Sequence, residues 1–303
     1  MNDQQPAVNL SVADRDYKYY IFDWDDNILH MPTRIHLEKR QEDGSWLPLT
    51  VSTSVFSVIR GDTANYRPPG GKRELAYAEF QDEIGTGESF FLRHTEQALR
   101  RVLDGTNPPG PSFSAFRKTL VEGRLFAIVT ARGHASETLR RGVRLFIDLV
   151  LDAGEFREML ANLRGYRAVF DGVTRFEESD QEELERYLSL NRYHAVTSPD
   201  FTSNLPGGGQ SFSAERRKQV AIRDFIEHLS RVLQRTPEGR QWNPVSVGFS
   251  DDDPANVAAV EHYIRDELAR LFPNVKFCVY DTSDPSLENG RKITVAGQLD
   301  LGL

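Results

Sequence analysis

Five short apolar runs recur along the chain at wide spacing, at residues 19–22, 125–129, 194–196, 245–249 and 275–280. Each is too short for a helix, carries β-branched or aromatic residues, and lacks the polar alternation of a half-solvated strand. Each is therefore predicted to be a strand buried on both faces. Between them, apolar positions return with helical period at 113–120, 136–151, 213–233 and 253–271. Parallel strands need crossovers of this kind. The alternation predicts an α/β fold built on a doubly wound, Rossmann-like parallel sheet. The last helix has a clear start, with Asp253 as N-cap and Pro254 at the first helical position.

Two stretches are too long for simple crossovers. After the first strand, Ile35 and Leu37 alternate with polar residues before the turn at 42–45, and Leu47, Leu49 and Val51 alternate after it, which is the pattern of a β-hairpin. Pro48 confines the second arm to a sheet edge. Helical patterns at 72–84 and 88–103 follow. The segment 31–110 is thus expected to be a cap insertion after the first strand, overhanging the strand ends, with 17–30 and 111–303 forming the core. The second long stretch, 152–190, is charged and mostly helical, and reads as a solvated excursion within that core. Residues 1–16 are polar and read as a flexible tail. The glycine run at 205–211 reads as a hinge ahead of a phosphate-binding loop.

A chain of 303 residues with 39% hydrophobic content can bury one large core or two modest ones. Its net charge of -8 argues against general nucleic-acid binding, which needs a basic surface to displace counterions. The single cysteine, Cys278, rules out an internal disulfide framework and reads as a small core residue. No run is long and apolar enough to span a membrane, and the first residues lack the basic-then-apolar order of a secretory signal. A soluble, cytoplasmic protein is expected, with its oligomeric state unreadable.

Chemistry-bearing residues then fall at the ends of the predicted strands or on the helix that follows one. Asp23 and Asp25 stand two apart just where the first strand runs out, in the region where open α/β sheets bind ligands. Thr130 ends the second strand and is followed by Ala131, Arg132 and His134. Arg132 and His134 read as polar residues of the loop slightly ahead of contacts to the substrate or to a second phosphate. Lys218 lies on the helix after the third strand, and Asp251, Asp252 and Asp253 end the fourth. Singly these are a capped turn, a threonine cap, a solvated lysine and a helix N-cap. Their joint order after successive strands of one sheet is harder to reach by accident.

In that order the chain resembles the haloacid dehalogenase superfamily, and within it the phosphatase branch. The likeness runs from about Tyr19 to Val279. It implies Asp23 as nucleophile and Asp25 as general acid and base. It implies Thr130, Lys218 and the backbone at Trp24 and Ala131 as phosphate-binding groups. It also implies Mg²⁺ held by Asp23, the Asp25 backbone carbonyl, Asp251 and Asp252. A halide leaving group needs no proton and the family's P-type ATPases carry threonine at this position, so Asp25 favours ester hydrolysis. The implied partner is a small phosphorylated substrate. The sequence departs from the pattern at Asp26, where glycine is frequent, and at Asn27, where threonine is usual. Arg216 and Arg217 beside Lys218 leave the register of the third motif open. The alternatives are a catalytically weak phosphate-binding or regulatory module, and phosphoryl transfer to a second substrate.

Overall fold

The computed structural model describes residues 6–82, 89–209, 211–234 and 245–296. The first residues of the expected tail, the junction between the two helices expected in the insertion, and Gln210 of the glycine run lie outside these. After β1 (Tyr17–Phe22) the chain forms β2 (Ile35–Arg40), β3 (Trp46–Val51), α1 (Thr53–Ile59), β4 (Tyr66–Arg67), α2 (Arg73–Ala76) and α3 (Phe90–Leu103). It continues with α4 (Phe113–Val121), β5 (Phe126–Thr130), α5 (Ser136–Val150), α6 (Ala153–Tyr166), α7 (Asp180–Leu190) and β6 (Arg192–Ala195). The last elements are α8 (Pro199–Ser203), α9 (Ala214–Leu233), β7 (Val245–Asp251), α10 (Pro254–Tyr263), β8 (Val275–Asp281) and β9 (Arg291–Ala296).

The architecture is α/β, with a six-stranded, mostly parallel sheet in the order β6-β5-β1-β7-β8-β9. Within this sheet all pairings are parallel except β8 with β9. β9 went unforeseen because its apolar residues, Ile293 and Val295, alternate with polar ones, a pattern suited to an antiparallel edge rather than a buried run. Along β1 and β5 the side chains alternate between two cores. Phe22, Phe126 and Ile128 join one with Phe116, Phe146 and Leu184. Ile21, Ala127 and Val129 join the other with Ile222, Phe225, Phe249 and Val279. Burial on both faces is what the continuous apolar runs required. Among the described residues, no helix is long and apolar enough to cross a membrane.

Three expectations change. The tail is docked where it is described: residues Leu10–Asp14 form a 3-10 turn that buries Val12, and the Asn9 N–H donates to the Ala161 carbonyl at 2.9 Å. Gly165 admits this contact, since a Cβ there would sit 2.0 Å from the Asn9 oxygen. The 152–190 stretch is no solvated excursion, because Met159, Leu160, Leu184, Tyr187 and Leu188 are buried in the first core. Most of its charges lie on the outer faces of amphipathic helices, which makes the segment read as solvated, although Arg164 and Glu183 are buried. The 31–110 segment is not one body. Ile35, Leu37, Val51 and Ala76 form a small core of their own, with Tyr77 and Phe80 packed against it. By contrast α3 packs Phe91, Ala98 and Leu99 into the main core.

Candidate active site

Beyond β1 the chain turns sharply through Asp23, Trp24, Asp25, Asp26 and Asn27. The Asp23 N–H still pairs with the Ser250 carbonyl at 3.0 Å, so Asp23 is held in register with the end of β7. The fully buried Trp24 indole packs on Phe91 and Phe116, with ring centroids 5.3 and 6.1 Å away, which leaves only its backbone for a ligand. Asp26 takes a left-handed φ of 54°, a conformation that glycine favours and aspartate tolerates. Its carboxylate accepts from the Thr53 hydroxyl at 2.9 Å and pairs with His30 at 3.0 Å. Asn27 is the pin of the turn. Its Nδ2 donates to the Asp23 carbonyl at 2.9 Å and to the Ser250 hydroxyl at 3.0 Å, while its Oδ1 accepts from Ser112 and Thr282, each at 2.8 Å. A threonine has too few donors and acceptors for that set.

Of the three adjacent basic residues, Lys218 is the one that meets the acids. The buried face of α9 carries Lys218 together with Ala221, Ile222 and Phe225. Its Nζ donates to Asp23 Oδ1 at 2.9 Å and to Asp251 Oδ2 at 2.7 Å, and all three side chains are buried. Arg216 instead reaches Gln219 and Glu267, and Arg217 reaches the Gly209 carbonyl. Asp251 is fixed further through Oδ1, which accepts from the Asp253 N–H at 3.0 Å and from Asn256 Nδ2 at 3.1 Å. Asp253 caps α10, accepting from the Ala255 N–H, with Pro254 in the first turn as expected.

Thr130 ends β5, buried, with its hydroxyl 3.4 Å from Asp25 Oδ2. Ala131 is exposed, and its carbonyl accepts from the Thr197 hydroxyl at 3.0 Å. The residue that sequence reasoning set aside is Arg132. It is buried and grips Asp25 with two bonds, Nε to Oδ2 at 2.8 Å and Nη2 to Oδ1 at 2.6 Å. Its place two positions beyond a strand-end threonine was the available signal. His134 stays out of the constellation, sealed against Phe91. Burial and then the nearby Arg132 charge push its imidazole down to about 3.

The electrostatics of the cluster are unbalanced toward negative charge. Burial pushes the Asp23 carboxyl up to about 8; Lys218 opposes that shift, while Asp251 and Asp25 add to it. Burial, then Asp23, Asp251 and Asp26, push Asp252 up to about 9. Lys218 is held firmly as an ammonium because the two carboxylates it bridges outweigh its own desolvation. Among the described residues no group of three or more His, Cys, Asp or Glu side chains is placed as a ready metal cage. Mg²⁺ does not require one, since it commonly takes one or two carboxylates with waters and substrate phosphate. The donors here are hard oxygens, and the crowding that raises Asp23 and Asp252 is what a bound cation would relieve, so their chemistry fits that ion. A cavity of about 210 Å³ lies elsewhere, at the start of β1, lined by Tyr17, Tyr19, Tyr166 and Phe170.

Comparison of the chain with protein-family models, curated proteins and solved structures gave no match.

Proposed function

We propose that the protein is a Mg²⁺-dependent phosphomonoester hydrolase of the haloacid dehalogenase type, working through an aspartyl-phosphate on Asp23. The observation that carries this reading is the Lys218 ammonium bridging Asp23 and Asp251. It joins three stretches far apart in sequence into one buried charge cluster at the ends of β1 and β7. On this reading the helices wind doubly around the sheet, and the part of 31–110 with its own small core acts as a cap.

Asp23 attacks phosphorus as the bond to the ester oxygen breaks, dividing one hard hydrolysis into two easier steps. Asp25 gives its proton to the departing oxygen and later takes one from the water that attacks the aspartyl-phosphate. Lys218, the Thr130 hydroxyl and the backbone N–H groups of Trp24 and Ala131 bind the equatorial oxygens, whose charge needs preorganised donors. Asp23, the Asp25 backbone carbonyl, Asp251 and Asp252 would hold Mg²⁺, which offsets the repulsion between an attacking carboxylate and a phosphate dianion.

The test is hydrolysis of an aryl phosphate with and without Mg²⁺. Activity that needs the metal and is lost in Asp23→Asn is expected. Undiminished activity in Asp23→Asn, or turnover after complete chelation, refutes the mechanism. Phosphate recovered on an added alcohol rather than in solution would identify a phosphotransferase instead.

A further inference from the structure

Arg132 joins Asp25 to a polar chain that leaves the main sheet and enters the 31–110 segment. Besides its two bonds to Asp25, its Nη2 donates to the Thr33 hydroxyl at 2.6 Å. Thr33 Oγ1 lies 3.0 Å from His94 Nδ1. Thr33 accepts from the guanidinium and keeps its own proton, so with Nε2 carrying the N–H of His94 the hydroxyl donates to Nδ1. That atom faces Glu79 Oε2 at 3.9 Å, and the other Glu79 oxygen is 2.9 Å from His36 Nε2. Burial lowers the His94 imidazole from its usual range, which favours its neutral form.

The guanidinium is fixed from its sides as well as its end. Phe80 and Phe91 flank it, with ring centroids 4.9 and 5.2 Å from its central carbon. Phe80 and Thr33 come from the 31–110 segment near its small core, and Phe91 from α3. The same segment is stitched to the loop after β5 by backbone contacts. The Gly133 N–H donates to the Phe80 carbonyl at 2.8 Å, and the Ala135 N–H donates to Asp82 at 2.6 Å. A planar fork making two bonds to a carboxylate sets the plane of that carboxylate, which a lysine could not do.

We propose that Arg132 is the positioning residue of Asp25, and that Thr33 sets Arg132, so that alignment of the proton donor depends on the 31–110 segment being seated. The proposal rests on the hydrolase reading above and deepens it. Arg132 itself transfers no proton. It orients the carboxyl that must meet the leaving oxygen.

The experiment compares kcat/KM for two esters, p-nitrophenyl phosphate and a simple alkyl phosphate, in the full chain with Mg²⁺. This ratio reports only the steps through phosphoryl transfer to Asp23, and the nitrophenolate leaves without help whereas the alkoxide needs its proton. Arg132→Gln is expected to lose about 10²-fold more on the alkyl ester than on the aryl ester, the scale of general acid catalysis. Thr33→Val, which removes the hydroxyl that sets Arg132 while leaving Arg132 and Asp25 themselves in the chain, is expected to show the same selective loss at about tenfold. Thermal melting establishes that each variant is folded, and Thr33→Val decides the matter if Arg132→Gln is not. Equal losses on both esters, or no loss in Thr33→Val, overturn the positioning role while leaving the hydrolase reading intact. A wild-type chain that cleaves neither ester overturns both.

Discussion

At the residue scale the site is an arrangement of charges whose costs offset one another. Lys218 is buried between Asp23 and Asp251, and each bond is short. Removing the ammonium strands two carboxylates away from water, so Lys218→Met is expected to lower stability by about 3–5 kcal/mol, read from urea denaturation at neutral pH without added metal. His134 carries a different consequence. Burial lowers its imidazole from an ordinary 6.5 to about 3, so between these values the unfolded chain binds the more protons. Stability therefore rises with pH across that window and is lost as pH falls through it. His134→Leu is expected to flatten this part of the pH dependence in denaturation curves. The two acids were legible as residue types at a strand end, and the lysine as one on a crossover helix. Arg132 was not, because an arginine in a polar loop reads the same whether it faces water or, as here, a carboxylate under two aromatic rings.

At the element scale, closeness between helices decides what the site can rest on. α3 meets α5 at Gly142, where a Cβ would lie 2.4 Å from the Phe91 ring. Gly142→Ala gains about 1 kcal/mol of helix propensity, but overpacking of this kind costs about 1–3 kcal/mol. A net fall in Tm is expected, measured by calorimetry. The helical period of 88–103 was readable, yet its partner was not. Periodicity reports that a helix has an apolar face without saying which surface covers it, so α3 was assigned to the insertion when its face belongs to the main core. The same gap explains α6 and α7, whose charged outer faces hid buried inner ones.

At the scale of the whole molecule the two cores of the sheet and the small core of the insertion differ greatly in extent. Local opening is cheapest where few apolar contacts must be broken. Hydrogen exchange in β2 and β3 is therefore expected to proceed at lower opening free energy than in β1, β5 and β7; equal protection in both groups would mean that the small core opens only with the whole. The sequence by itself determined the five buried strands and their main crossover helices, the parallel core, the placing of the acids and the threonine at strand ends and of the lysine on a crossover helix, because these follow from local period and from the cost of burying polar groups. Only the tertiary structure decided that Lys218, and neither adjacent arginine, meets Asp23 and Asp251, that Asn27 pins the turn, and that Arg132 ties Asp25 to Thr33. Those are contacts between residues up to 255 positions apart, and nothing in a local pattern specifies which distant groups the packing of a sheet and its helices will bring face to face.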